Sequence, residues 1–454
     1  WLTEAVPLAV TSLLPLAFFP LLGVMKSSAV AGLYTNDIVF LFVGGFMVAL
    51  AMEKWELHRR VALHVILLIG GGSRRTLLGF MAATALLSMW ISNTATAMMM
   101  VPIASAVLFH YEKLLDKQTF DRTAVGLLLG VAYGSSVGGI ATLVGTPPNL
   151  AFAQIFHINF PNAPPVTFAN WFFFAMPLSI IMLFATWLLL SMMWVPKSAG
   201  KSPRGMFREE LGKLGPMQRE ERIVLIVFAV LAVLWITRES LSFGTFTIPG
   251  WAGLFPEPKF IGDGTVAIAL AALLFMLPAR NGTERILDWE TARKLPWGIV
   301  LLFGGGFALA GAISQSGLAE WIGLKMQALA ALPPVGMTGA VCTVMTFLTE
   351  LTSNTATTQM ALPILSATAV AIGRNPFYLM IPATISASCA FMMPVATPPN
   401  AIIFGTGRVR VMQMAKTGIY LNLICVVIVV LWMHLFGPHT FAGEANVLPL
   451  WAGK

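Results

Sequence analysis

One polar tripeptide, Ser-Asn-Thr, is written twice in this chain in matching apolar surroundings. "SNTATAMMMVPIASA" starts at Ser92 and "SNTATTQMALPILSA" at Ser353; they lie 261 residues apart and agree at 10 of 15 positions. Two further blocks recur in the same order. "FVGGFMVALAM" (42–52) aligns with "FGGGFALAGAI" (303–313), again at an offset of 261, and "GTPPN" (145–149) returns as "ATPPN" (396–400) at 251. The chain is therefore two related halves, 1–195 and 223–437, joined by a hydrophilic linker at 196–222.

The 454 residues are 57% hydrophobic and only 11% charged, whereas a soluble domain carries about 25% charged residues. This is the composition of an integral membrane protein. Apolar segments occupy 4–24, 37–52, 171–194, 223–236, 263–277, 298–313 and 417–436. Several fall short of the roughly 20 residues a straight span needs, so tilt or longer true boundaries are expected. Barrel-type alternation is absent, which predicts an all-α polytopic membrane protein. The net charge of +8 does not point to nucleic acid, because basic residues gather in a few loops. The stretch 197–222 holds seven Lys or Arg against four Glu, and 280–294 and 408–416 are also basic. The positive-inside rule places these loops in the cytoplasm, and the charge-poor 159–170, 240–262 and 438–454 outside. Cys342, Cys389 and Cys425 all sit in apolar segments and form no disulfide framework or metal spacing. The chain opens on Trp1 rather than Met, so one or two further helices are expected upstream.

Counting passes gives the orientation. Segment 4–24 runs outward and 37–52 inward, leaving 53–72 in the cytoplasm as an interfacial helix. Region 74–110 dips in and returns, because both flanks are basic. Segment 263–277 then runs inward, opposite to its partner in the first half. The repeats are inverted, as in many secondary transporters.

Backbone that leaves helix inside a bilayer is tolerated only where protein or a water-filled cavity satisfies it. Each Ser-Asn-Thr lies between two apolar arms (77–90 and 97–108 in the first copy), each too short to cross alone. The expectation is a re-entrant helical hairpin at 74–110 and another at 337–372, with the tripeptide at each tip. Pro-Pro cannot continue a helix, so 124–158 and 376–407 read as broken helices, followed by helices at 171–194 and 417–436. Half-helix amino ends attract anions, while unwound carbonyls and hydroxyls coordinate sodium. Intramembrane Ser, Asn and Thr also serve plain helix packing, but two copies, each followed by an X-T-P-P-N break, favour a site. No His or Asp stands in these blocks to activate Ser92 or Ser353, which argues against a hydrolase. No Gly-loop-Lys pattern precedes a helix, so ATP hydrolysis has no support. Glu350 reads either as a proton carrier or as a hairpin-packing or water-facing group. The histidines (His58, His64, His110, His157, His434, His439) are scattered. The glycine runs 44–45 and 304–306 suit close helix contact.

At these residues the chain resembles the divalent anion/sodium symporter family, the INDY-type dicarboxylate transporters, over nearly its whole length. The resemblance implies a homodimer in which a scaffold domain holds the interface and a transport domain moves elevator fashion. Scaffold parts would be 1–72 and 223–335, transport parts 73–195 and 336–437, with 196–222 a cytoplasmic linker and 438–454 an extracytoplasmic tail. It further implies one sodium site at Ser88, Ser92, Asn93 and Gly145, and a second at Thr349, Ser353, Asn354 and Ala396. Substrate carboxylates would meet Asn93, Thr94 and Thr146 from one half, and Asn354, Thr355, Thr397 and Pro398 from the other. The family's first helices are not found at the amino end of this chain.

The family includes sodium-independent exchangers, which often place an Arg just after the first Ser-Asn-Thr; here both copies continue with neutral residues. No Lys or Arg occurs in 88–110, 134–149, 352–373 or 383–405. A dianion there needs compensating charge, so cations must arrive with it, and sodium suits the oxygen ligands on offer. An anion channel is the alternative of another class. Two like half-sites suit a ligand with two like ends, such as succinate, fumarate or malate; sulfate and citrate are the other options. The expected location is a bacterial plasma membrane.

Overall fold

Glycine sets how closely the helices of this protein meet. The computed structural model describes residues 5–196, 204–243, 246–280, 282, 284–326, 331–440 and 443–453. Its first half runs α1 (Leu8–Thr11), α2 (Leu14–Leu21), α3 (Ser27–Leu33), α4 (Asp37–Lys54), α5 (Leu57–Ile69), α6 (Ser73–Ser88), α7 (Asn93–Glu112), α8 (Lys117–Gly139), α9 (Pro147–Asn159) and α10 (Phe168–Met193). The linker contributes α11 (Arg204–Lys213); residues 197–203 of the predicted linker lie outside the described residues. The second half runs α12 (Arg219–Ile236), α13 (Asp263–Met276), α14 (Trp289–Ala292), α15 (Trp297–Gln315), α16 (Leu318–Lys325), α17 (Pro334–Thr349), α18 (Asn354–Ala371), α19 (Phe377–Ala387), α20 (Pro398–Gly405) and α21 (Val411–Thr440). The all-α expectation holds apart from one short antiparallel hairpin, β1 (Leu241–Phe243) with β2 (Phe246–Ile248), in which Leu241 pairs with Ile248.

Two expectations need correction. Segment 4–24 is not one span: among the described residues it is α1 and α2, broken at Ser12–Leu13. The Ser12 carbonyl accepts from the Tyr34 hydroxyl, and Gly305 of α15 lies against the Ser12 backbone. Pro15, in the first turn of α2, has no N–H to continue a helix from α1. Nor is the second arm of the first hairpin short. With 20 residues, α7 is about 30 Å long and able to cross a bilayer. Longer boundaries also resolve other short segments: α10 has 26 residues and α21 has 30. Among the described residues, five helices are long and apolar enough to span.

Lipid is as apolar as leucine, so packing rather than the hydrophobic effect must hold membrane helices together. The glycines serve that need. An added Cβ at Gly44 of α4 would meet the α13 backbone at Ala267 at 2.7 Å. One at Gly138 of α8 would lie 2.4 Å from the Ala85 backbone of α6. On α15, Gly304 faces Tyr34, Gly305 faces Ser12 and Gly306 faces Gln359 of α18. The expected role of both glycine runs is therefore seen. At the core, α8 is buried from Thr123 to Gly139, packed by α6, α7 and α10. Its counterpart α19 is buried throughout and packed by α17, α18 and α21.

Polar clasps pin the periphery. Asp263, at the start of α13, accepts from Arg238 Nε at 2.6 Å and from the Phe168 amide of α10 at 2.9 Å. Lys54 donates to Asp288 at 2.6 Å and thereby holds its carboxyl down at about 2. The linker helix α11 docks through Phe207, buried beside Phe80 of α6. Replacing Gly138 with Val should cost about 1–3 kcal/mol through overpacking, seen as a lower melting temperature in detergent. Gly32→Ala, with open space around its Cβ, serves as the neutral control.

Candidate functional site

Each Ser-Asn-Thr begins a helix. Ser92 is the N-cap of α7 and its hydroxyl accepts from the Ala95 amide at 3.1 Å. Ser353 is the N-cap of α18, but its side chain makes no such bond. The residue after each cap carries the same clip. Ser88 Oγ, at the end of α6, donates to Asn93 Oδ1 at 2.5 Å, and Thr349 Oγ1, at the end of α17, donates to Asn354 Oδ1 at 2.7 Å. Thr349 Oγ1 also lies 2.9 Å from the Ala387 carbonyl at the end of α19. Both hairpin tips are thus closed by a hydroxyl and an asparagine five residues apart.

The Pro-Pro motifs do more than end a helix. Pro147 and Pro148 occupy the first turn of α9, and Pro398 and Pro399 that of α20. There their missing N–H costs nothing and their fixed φ suits a new helix. Thr146 and Thr397 are the N-caps, and Thr397 Oγ1 accepts from the Asn400 amide at 3.4 Å. The breaks, 140–146 and 388–397, expose carbonyls in a buried environment. The last letter of each motif satisfies them. Asn149 Nδ2 reaches the carbonyls of Gly139, Ile140 and Thr142 at 3.2, 3.2 and 2.7 Å. Asn400 Nδ2 reaches those of Ala390 and Met393 at 3.1 and 3.0 Å, which lie 251 positions after Gly139 and Thr142. Sequence reasoning quoted both asparagines yet gave them no role; a polar residue at the same place in both copies was the available signal.

The structure brings Ser88, Asn93 and Gly145 together. An added Cβ on Gly139 would lie 2.6 Å from Asn93 Oδ1, and one on Gly145 would lie 2.5 Å from the Gly139 carbonyl. Thr142 Oγ1 donates to the Met89 carbonyl at the tip and accepts from the Gly145 amide, so tip and break form one unit. In the second half Thr349 and Asn354 are joined, and Ala396, Thr397 and Pro398 follow a break tied to the same tip through Glu350. That carboxylate accepts from the amides of Phe391, Met392 and Met393 at 2.7, 2.9 and 3.0 Å. Glu350 is thus buried and bonded to the second break rather than facing water. Thr94 is half-exposed while Thr355 is buried, and neither hydroxyl bonds another side chain among the described residues.

The halves meet crosswise. Helix α9 packs on α18 and α19, and α20 packs on α7 and α8. Four helix amino ends, each with Ser or Thr at the N-cap position, therefore come from two hairpin tips and two breaks, with no Lys or Arg in the surrounding sequence. Amino ends attract anions and the carbonyls, amides and hydroxyls beside them suit hard cations. Beside the first tip, a cavity of about 440 Å³ reaches Ile91, Ala95, Glu53 and His58.

Paired broken helices and capped tips in a polytopic helical bundle define a membrane transporter rather than an enzyme. Residues 1–441 match the family described as the sodium:sulfate symporter transmembrane region. The chain belongs to that family. It is 42% identical over 447 residues to the sodium-dependent dicarboxylate transporter SdcS of Staphylococcus saprophyticus, covering 96% of this chain and 84% of the relative. The SdcS protein of Staphylococcus aureus MRSA252 is 42% identical over 460 residues, covering 99% and 86%. In fold, the chain is similar to the Alcanivorax borkumensis YdaH transporter, with a TM-score of 0.61, 14% identity and coverage of 91% and 89%. It is also similar to Neisseria gonorrhoeae MtrF, with a TM-score of 0.56, 14% identity and coverage of 91% and 82%.

Asn149→Ala and Asn400→Ala should each leave buried carbonyls unpaired and cost about 1–3 kcal/mol. Asn→Asp, which keeps the size but cannot donate, should be at least as harmful. Melting temperatures in detergent check this; an undisturbed Asp variant would deny the clamp its role.

Proposed function

We propose that the protein is a sodium-coupled symporter of C4 dicarboxylates such as succinate, fumarate and malate, working in a bacterial plasma membrane. The observation that carries this reading is the pair of like half-sites, each a hydroxyl–asparagine clip beside a helix break, with no Lys or Arg in the sequence around either. A dianion with two like ends matches two like half-sites, and its charge must be met by bound cations. The SdcS relatives are named for sodium-dependent dicarboxylate transport, which supports both parts.

In this reading one sodium ion is held by Ser88, Ser92, Asn93 and Gly145, and the other by Thr349, Ser353, Asn354 and Ala396. Asn93, Thr94 and Thr146 receive one carboxylate; Asn354, Thr355, Thr397 and Pro398 receive the other. Transport parts 73–195 and 336–437 move against scaffold parts 1–72 and 223–335, elevator fashion, within a homodimer. The crosswise packing of α9 on α18 and α20 on α7 supports a two-fold relation between the halves, and the repeats are inverted in the membrane.

Radiolabelled succinate uptake into proteoliposomes should require a sodium gradient. Thr94→Ala and Thr355→Ala should each remove a hydrogen bond to a charged group, about 1–3 kcal/mol, and so lower succinate affinity about 5- to 150-fold. Sodium binding without substrate should change little in either. Strong sulfate transport with succinate neither moving nor competing would sink the dicarboxylate reading.

Topology is tested separately. Gly212 and Gly253 are exposed with open space at the Cβ position, and the three native cysteines are buried. Gly212→Cys should react with an impermeant thiol reagent only from the cytoplasm, and Gly253→Cys only from outside. Labelling of both from one side contradicts the inverted repeat.

A further inference from the structure

The two half-sites are alike in their clips and unlike in charge. At the first tip, the position 261 residues before Glu350 is Met89, whose backbone carbonyl accepts from Thr142. The first break is held by neutral donors alone: Thr142 Oγ1, Asn149 Nδ2, and Trp171 Nε1 of α10, which donates to the Ile140 carbonyl at 3.0 Å. At the second tip, a carboxylate replaces this arrangement. Besides the amides of Phe391, Met392 and Met393, Glu350 takes a hydrogen bond from Asn422 Nδ2 of α21 at 2.8 Å. Four donors converge on it, and the residue is 3% exposed. A group that only accepts satisfies all four; a protonated carboxyl would add a fifth donor among them. From the other side, Tyr133 of α8 donates to the Phe391 carbonyl at 2.7 Å. The second break is thus fastened to its tip, to α21 and to the opposite half.

Thr349 is the immediate chain neighbour of Glu350, and its hydroxyl joins Asn354 to the end of α19. A buried negative charge beside these oxygens favours a cation there. At the first tip, Glu53 and Glu56 line the neighbouring cavity with Ile91 and Ala95, but among the described residues neither is hydrogen-bonded to the tip or the break as Glu350 is. We propose that Glu350 is a fixed internal anion and positioning residue that makes the second half-site the stronger of two inequivalent cation sites. This rests on the sodium-coupled reading and names which site fills first.

Sodium titration of the purified protein without dicarboxylate, followed by calorimetry and by melting temperature, tests it. Wild type should show two affinity classes separated by about ten-fold or more, the effect of a unit charge within about 12 Å at an effective dielectric constant of about 20. Glu350→Gln should lose the tight class, while Glu350→Asp, which keeps the charge, should retain it to within about three-fold. The Gln variant should keep a wild-type helical circular dichroism spectrum and a monodisperse gel-filtration profile, which a misfolded protein would not show. A single affinity class in wild type overturns the proposal even where the Gln variant fails to fold. An intact tight class in a folded Gln variant overturns it too, as does equal loss in Gln and Asp, which assigns the effect to geometry. Wild-type succinate uptake that ignores sodium instead fails the symporter reading beneath it.

Discussion

Everything at the centre of this molecule depends on satisfying backbone groups where a helix stops inside an apolar body. Each unpaired buried carbonyl or amide costs about 1–3 kcal/mol, and the two breaks leave several such groups away from water. The protein answers with side-chain amides. Asn149 and Asn400 turn back across their own breaks onto the carbonyls that the missing turn would have used. The prolines just before them have no N–H to leave unpaired, and Thr397 Oγ1 takes the Asn400 amide at the second restart. A break built this way is a rigid structural element, able to present carbonyls and helix ends to a ligand without reorganising.

Close helix contact makes that rigidity possible. Gly138 brings α8 against the α6 backbone, and Gly139 leaves room for the Asn93 amide beside the break. In the second half alanines stand where Gly139 and Gly145 stand in the first, at Ala390 and Ala396. There Glu350 joins the tip to the break, beside the Thr349 hydroxyl on the Ala387 carbonyl. The same geometric task, holding a tip to a break, is done once with neutral groups and once with a charge. On the sodium-coupled reading proposed above, with no Lys or Arg in the sequence around either tip or break, the buried carboxylate of Glu350 makes the two half-sites electrostatically unlike.

The motifs themselves were legible from the residues because their effects are local. Serine caps the helix that follows it, proline opens a first turn, and glycine permits approach. These properties place the tips at Ser92 and Ser353 and the restarts at Pro147 and Pro398 within a residue or two. The duplication and the scarcity of charge likewise gave a helical membrane protein of two related halves. Less legible were helix lengths: α7 runs on through Pro102 to Glu112, and the stretch around Ser12 breaks where a uniform apolar span was expected.

What the sequence alone determined, then, is where the backbone leaves helix and which residues stand at those points. Only the tertiary structure decided what pairs with the groups exposed there. Trp171 and Tyr133 reach the breaks from 31 and 258 residues away along the chain from their partners, and Asn422 reaches Glu350 from 72. The Ser12 carbonyl is claimed by Tyr34, and Glu350 by three amides some forty residues on. Capping and proline stereochemistry act over one helical turn and so can be read along the chain. Satisfaction of a buried carbonyl depends on whichever donor the packing of distant helices delivers, and no local pattern encodes that.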